Sequence, residues 1–273
     1  ANRGKPLAGK STLNRLELTN AKTGEGVLPG GVHKIRADFA AIETLLIRLA
    51  VSRLREDTDE IVLDFDATDS LLHGNQEGKF FHGYYDSYCY LPLYCFIGSW
   101  PVLAQLRTSN RDACEGTVEA LEKIVPIIRE RFPEARVILR GDSGFARETI
   151  FAWCEENGIF YVTGLAKNAV LLRHLDPAMF RAKADACVRG GYCTRFCEFT
   201  YSTAKSWSRT RRIIGKAQVN PKGENPRFVV TNLTGEPPQW RPEPLYREFY
   251  CARGNMENRI KEQQLDLFAD RMS

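Results

Sequence analysis

Asp64 and Asp66 lie two residues apart in Ile61-Val62-Leu63-Asp64-Phe65-Asp66-Ala67-Thr68. Strand alternation puts both carboxylates and Thr68 on one face, with Ile61, Leu63 and Phe65 on the other. Asp142 follows the apolar run Arg136 to Arg140, inside the turn Gly141-Asp142-Ser143-Gly144. A third segment holds Tyr250, Arg253 and Glu257 at the spacing Y-x2-R-x3-E, positions that stack on one side of a helix. Carboxylates converging at one sheet edge suit hard, oxygen-liking cations. Two such ions about 3.5–4 Å apart activate a water and stabilise the leaving oxygen in phosphodiester cleavage, and the chemistry needs at least three ligands. The guanidinium one turn before Glu257 adds a planar fork matched to a phosphate. Each acid alone has an ordinary explanation: Asp64 pairs with an arginine, Asp142 caps a turn or helix, Glu257 lies on a solvated helix face. The set carries the chemistry.

Two further motifs invite a reading. Gly4-Lys5-Pro6-Leu7-Ala8-Gly9-Lys10-Ser11 fits G-x-x-x-x-G-K-[ST] in full. That loop works when a strand delivers it to a helix N-terminus, and only three residues precede Gly4, so a phosphate-loop NTPase is the third choice. From Thr203 to Lys222 the chain carries Lys205, Arg209, Arg211, Arg212, Lys216 and Lys222 with no acid among them, and Trp207 lies inside the run. Such a stretch is either a solvated hairpin or a DNA contact whose aromatic stacks on an unpaired base. His73, His82 and the cysteines have no metal-ligand spacing.

The elements that must position these residues follow from periodicity. Residues 1–33 are expected to be an arm or linker, and 34–60 a helical lead-in with one amphipathic helix from Lys34 to Arg55, on Ile35, Phe39, Ile42, Leu46 and Leu49. Residues 61–165 read as the first part of a core. Its strands at about 61–68, 88–97 and 102–107 form an antiparallel meander; a helix from about Ala113 to Arg131, kinked at Pro126, a strand at Arg136 to Arg140, a helix ending near Gly158 and a strand at Ile159 to Leu165 complete it. Residues 166–245 change texture to short β-like segments, read as a β-rich insertion. Residues 246–273 contain a strand or turn at Tyr246 to Cys251 and then the helix of Glu257. This is a mixed α/β layout.

The whole-chain quantities agree with one substantial core. The 273 residues are 43% hydrophobic and 26% charged, which excludes disorder and miniature disulfide scaffolds; the net charge of +4 names no partner by itself. Eight cysteines without a C-x-x-C pair or a secretory leader read as reduced thiols of a cytosolic protein. The uncharged stretch Ser87 to Leu106 is broken by Pro92, Gly98-Ser99 and Pro101, so a buried hairpin is expected and no membrane contact. The chain opens without methionine and its last helical pattern is still running at Ser273, so both ends are read as cut.

Taken with Phe81-His82-Gly83-Tyr84-Tyr85-Asp86, the stretches Leu63 to Asp69, Arg140 to Phe145 and Tyr250 to Glu257 resemble a DDE transposase of a bacterial insertion sequence, in the branch with the Y-x2-R-x3-E signature. The resemblance covers most of the chain. It implies a ribonuclease-H-like α/β core, a mixed sheet flanked by helices, with a β-rich insertion between the second and third acids. It implies Asp66 as the first catalytic acid and metal ligand, since an acid closely followed by threonine is the family pattern, with Asp142 second and Glu257 third. Asp64 is the rival for the first position. The longer signature expects lysine seven residues after the glutamate, where this chain has Gln264; Lys261, one turn after Glu257, is the alternative.

The implied activity is metal-dependent cleavage at an element end followed by attack of the freed 3′ hydroxyl on target DNA. Two Mg²⁺ ions, replaceable by Mn²⁺, are the implied cofactors. Double-stranded DNA, both element ends and target, is the implied partner, with self-association in the active complex and a cytoplasmic, nucleoid-associated location in a bacterium. Tyr250, Arg253 and Lys261, with Lys205, Arg209, Arg211 and Arg212 of the basic stretch, are the expected DNA contacts. The alternative is a catalytically incomplete DNA-binding or assembly fragment.

Overall fold

The computed structural model describes residues 38–188 and 190–266. Contacts divide the chain into two units, residues 1–45 and 46–273. Of the first, residues 38–45 are described and open helix α1 (Phe39–Ser52), capped by the Asp38 carboxylate, which accepts from the Ala41 amide at 3.0 Å. The phosphate-loop match at Gly4 to Ser11, the arm and the start expected for the helix at Lys34 all lie outside the described residues. In the second unit α1 buries Ile47, Ala50 and Val51, while Leu49 is exposed. The buried stripe therefore runs beside the one expected, on the i, i+3, i+4 set that starts at Ile47.

Strand β1 (Glu60–Ala67) opens the main sheet. Three short strands, β2 (Ser70–Leu71), β3 (Phe80–His82) and β4 (Ser87–Tyr90), form a separate sheet in the order β2-β4-β3. The chain returns through β5 (Leu93–Ile97) and β6 (Trp100–Gln105). The single strand expected over 88–97 is thus two strands in two sheets, divided at Leu91-Pro92, because proline cannot donate to a ladder. After α2 (Thr117–Arg131), with Pro126 accommodated inside it, come β7 (Arg136–Gly141), α3 (Glu148–Glu156) and β8 (Phe160–Leu165).

The region 166–245 departs from the expectation of short β segments alone, for it begins with a 20-residue helix, α4 (Ala169–Val188). Its inner face is Leu171, Leu175, Met179, Ala182 and Ala186, a helical spacing obscured in sequence by Pro177 and by small residues. Strands β9 (Cys193–Tyr201), β10 (Arg211–Asn220), β11 (Gly223–Glu224) and β12 (Arg227–Thr231) follow. They do not stand apart: β12 pairs with β8, giving a main sheet in the order β11-β10-β12-β8-β7-β1-β5-β6, with β9 on β10. The segment expected as a strand or turn at 246–251 is helical instead, with π-type turns at Leu245–Tyr250 and a 3₁₀ turn at Cys251–Arg253 running into α5 (Gly254–Asp266). Leu245, Tyr246, Phe249 and Tyr250 pack there with Ile138, Val162, Val229 and Trp240, and that burial overrides the strand propensity of a Tyr/Phe-rich run.

This is a mixed α/β architecture with a large, mostly antiparallel sheet flanked by helices, compatible with a ribonuclease-H-like core. Its centre is parallel, β1 with β7 and β7 with β8. Leu63, Phe65, Val137, Leu139 and Tyr161 bury one face with Leu121, Ile124 and Phe151 of the helices. Among the described residues, no helix is long and apolar enough to cross a membrane.

Candidate active site

The parallel register of β1 and β7 sets Asp64 opposite Arg140. Two residues further along each strand, Asp66 and Asp142 therefore reach the same carboxyl edge of the sheet. The third acid arrives by packing: Met256 and Ile260 of α5 are buried against Tyr94 and Phe96 of β5. Burying two such side chains stabilises the docked helix by roughly 1.5–3 kcal/mol each, and Glu257, one residue past Met256, faces the sheet edge. Asp66, Asp142 and Glu257 line one cleft of about 530 Å³, together with Thr68, Ser143, Arg253 and Lys261. Opposite them the cleft is walled by His82, Tyr84 and Tyr85 from the small sheet and its turn.

Asp64 lies elsewhere. It is buried, and Arg140 holds it bidentately, Nε to Oδ1 at 2.6 Å and Nη2 to Oδ2 at 2.7 Å. The same guanidinium donates to the Phe249 carbonyl at 2.5 Å and lies over the Phe249 ring. Burial pushes the Asp64 carboxyl above its ordinary value although Arg140 pulls it down. The two aspartates share a strand face, as alternation requires, but Asp64 ties β1 to β7 and to the segment before α5, whereas Asp66 opens on the cleft.

Arg253 is the cation of the cleft. Its Nη2 lies 2.7 Å from Glu257 Oε1 and its Nη1 3.9 Å from Asp66 Oδ1. Burial alone would lower its pKa, but Glu257 and Asp66 outweigh that and raise it. Asp66 is pushed up to about 6: burial raises it most, Arg253 opposes, and the nearby Asp142 and Glu257 raise it further. Tyr250 keeps its proton, because burial raises its pKa against the pull of Arg253. Asp142 caps the 3₁₀ turn Ser143–Phe145 by accepting from the Gly144 amide at 2.8 Å through Oδ1.

Three carboxylates that oppose one another's charge are the right donors for hard divalent cations. Among the described residues no three His, Cys, Asp or Glu side chains stand close enough together to hold one ion; Arg253, bridging Asp66 and Glu257, supplies the positive charge. The donor chemistry of the three carboxylates fits such a metal.

Of the remaining expected contacts, Lys261 lines the cleft. Gln264, standing where a lysine was expected, donates to the Asp69 carbonyl at 3.3 Å and ties α5 to the loop after β1. The basic stretch is largely occupied internally. The Arg211 side chain is 2% exposed, salt-bridged to Glu148 at 2.7 Å and Glu155 at 2.8 Å, and lies over Phe151 and Trp207. Arg212 is held by Glu198 and by the carbonyls of Leu233 and Trp240. Both guanidiniums are engaged inside the fold, Arg211 with the acids of α3 and Arg212 with Glu198 of the neighbouring strand β9. Arg209 is mostly exposed and 3.2 Å from Glu155, and Lys205 is exposed.

Sequence reasoning missed Gly164. A Cβ there would fall 2.6 Å from the Tyr250 hydroxyl and 3.0 Å from the Ser143 amide nitrogen, so only glycine lets β8 lie this close to both. Its signal was available: a lone glycine inside an apolar strand marks a close approach.

The whole chain, residues 1–273, matches the family model described as transposase DDE domain group 1. No curated protein matches it.

Proposed function

Since the chain belongs to the family of DDE transposase domains, we propose that it catalyses metal-dependent cleavage at the ends of an insertion sequence and transfer of the freed strand to target DNA. The observation that carries this reading is the convergence of Asp66, Asp142 and Glu257 on one cleft from two parallel strands and a docked helix. These three carboxylates would hold two Mg²⁺ or Mn²⁺ ions, which supply Lewis-acid activation of the attacking oxygen and charge stabilisation of the leaving one. Asp66 and Glu257 would be the ligands that Arg253 now pairs with, and the Arg253 guanidinium has the planar fork to hold a DNA phosphate beside them. Tyr250, protonated and beside Asp142, donates to the same backbone, and Lys261 adds a cation one turn beyond Glu257. Asp64, committed to Arg140, has a structural role and is set aside as a ligand. Lys205 and exposed Arg209 remain as outer DNA contacts. Cutting both ends of one element and joining both to one target calls for more than one copy in the active complex.

The test is Asp142→Asn, which preserves shape and the turn-capping oxygen. A folded variant is expected to lose Mg²⁺-dependent nicking by more than about 100-fold, the upper cost of disturbing only an outer-sphere partner. Full nicking by that variant would refute the assignment.

A further inference from the structure

Among the described residues, the small sheet and its turn carry exposed aromatic rings. Tyr84 is 85% exposed, Phe81 54% and Tyr88 51%. Phe81 and Tyr88 are register partners on β3 and β4, with ring centroids 5.6 Å apart and edge to face. Lys79 Nζ stands 5.3 Å from the Tyr88 centroid. Tyr84 and Tyr85 pack edge to face at 5.0 Å, and Tyr85 lies tilted against His82 at 5.0 Å. Tyr84, Tyr85 and His82 wall the same cleft as Asp66, Asp142 and Glu257. Tyr84 and Tyr85 thus border the place where, on the reading proposed above, the phosphodiester is cut, whereas Phe81 and Tyr88 lie on the other face of β3 from His82.

Resting on that reading, we infer that Tyr84, exposed at the wall of the cleft and backed by Tyr85, is a stacking platform for an unpaired base next to the phosphate being cut. Duplex DNA keeps its base faces covered; only an unpaired nucleotide offers one to a protein ring, and aromatic faces beside cations are the sequence-tolerant way to bind it. Edge-to-face packing with Tyr85 supports the Tyr84 ring, which stays 85% exposed. Lys261 and Arg253 in the cleft bring positive charge to the flanking phosphates. The platform therefore selects DNA whose end has opened, and it holds the strand so that its backbone runs over the acids.

The experiment compares the full chain with Tyr84→Ala and Tyr84→Phe, in Ca²⁺ to prevent cutting. The probes are a blunt duplex and the same duplex with a short single-stranded thymidine tail carrying one 2-aminopurine. Exposure of Tyr84 makes both variants safe for folding, checked by circular dichroism. The expected result is a preference of the wild type for the tailed duplex of roughly 5- to 100-fold, with quenching of 2-aminopurine on binding. Tyr84→Ala loses both while its blunt-duplex affinity holds, and Tyr84→Phe keeps both. If the wild type binds DNA but Tyr84→Ala retains full preference and quenching, the platform is wrong and the transposase reading stands. Equal wild-type affinity for tailed and blunt DNA has the same meaning, as does a Tyr84→Ala change in oligomeric state alone, which identifies the patch as a protein interface. Failure of the wild type to bind either DNA removes both readings.

Discussion

Asp66 sits in surroundings that oppose its own charge. Its pKa near 6, against 3.8 for the free side chain, arises from burial first and from Asp142 and Glu257 next, with Arg253 only partly compensating. The folded protein therefore holds a proton that the unfolded chain has released between about pH 3.8 and pH 6. Stability falls as pH rises through that window and stays lower above it. Asp66→Asn removes the cost, so the metal-free variant is expected to be more stable than the wild type at pH 7.5 by roughly 1–3 kcal/mol. The gain disappears below about pH 4, where Asp66 is protonated in both states. Thermal unfolding in EDTA across pH checks this, and equal stability at pH 7.5 counts against the electrostatic picture. At this scale the sequence singles out the acids of this sheet edge but not which of the two aspartates opens on the cleft. Asp64 and Asp66 are indistinguishable by alternation; what separates them is Arg140, 76 residues away in sequence, which closes on Asp64.

Among elements, α5 carries Glu257 and is anchored through few buried side chains. Only its first three turns are described with side chains, and the buried residues anchoring it are Met256 and Ile260, against Tyr94 and Phe96. Met256→Ala is expected to destabilise the protein by about 2–5 kcal/mol, the usual cost of truncating a buried side chain. It should also reduce cleavage without touching any of the three acids, because Glu257 loses its anchor. Paired denaturation and nicking assays check this; unaltered nicking by a folded Met256→Ala protein means that Glu257 is not positioned through this contact. The helix was legible from the Y-x2-R-x3-E spacing, but its lead-in was not. A run such as Tyr246 to Tyr250 favours strand locally, and only burial against Trp240 and the β8–β12 strands makes it helical. The π-type turns there lie just before Arg253, in keeping with the habit of such turns to occur at functional sites. Helix α4 was missed for the opposite reason: its helical period was present, but Pro177 and flanking β segments masked it.

For the second unit as a whole, the parallel trio β1, β7 and β8 forms the foundation, and the later strands extend it through β12. The acids could be read from sequence as three separate signals; their meeting depends on the register of Asp64 with Arg140 and on α5 crossing β5, neither of which a linear pattern carries. The same reasoning explains the basic stretch. Charge counted along the chain suggested DNA, yet Arg211 lies inside between Glu148 and Glu155 of α3 and joins that helix to β10. A run of like charges in sequence need not be a charged surface once long-range acids fold against it.

The central claim is that three acids, remote in sequence, hold metal together at the edge of this sheet. A crystal soaked in Mn²⁺ and read by anomalous scattering tests it most directly. Manganese is predicted among Asp66, Asp142 and Glu257, with Arg253 released from Glu257 and Asp64 still paired with Arg140. Manganese bound at Asp64 instead, or a cleft without manganese at concentrations that support cleavage, would contradict the account.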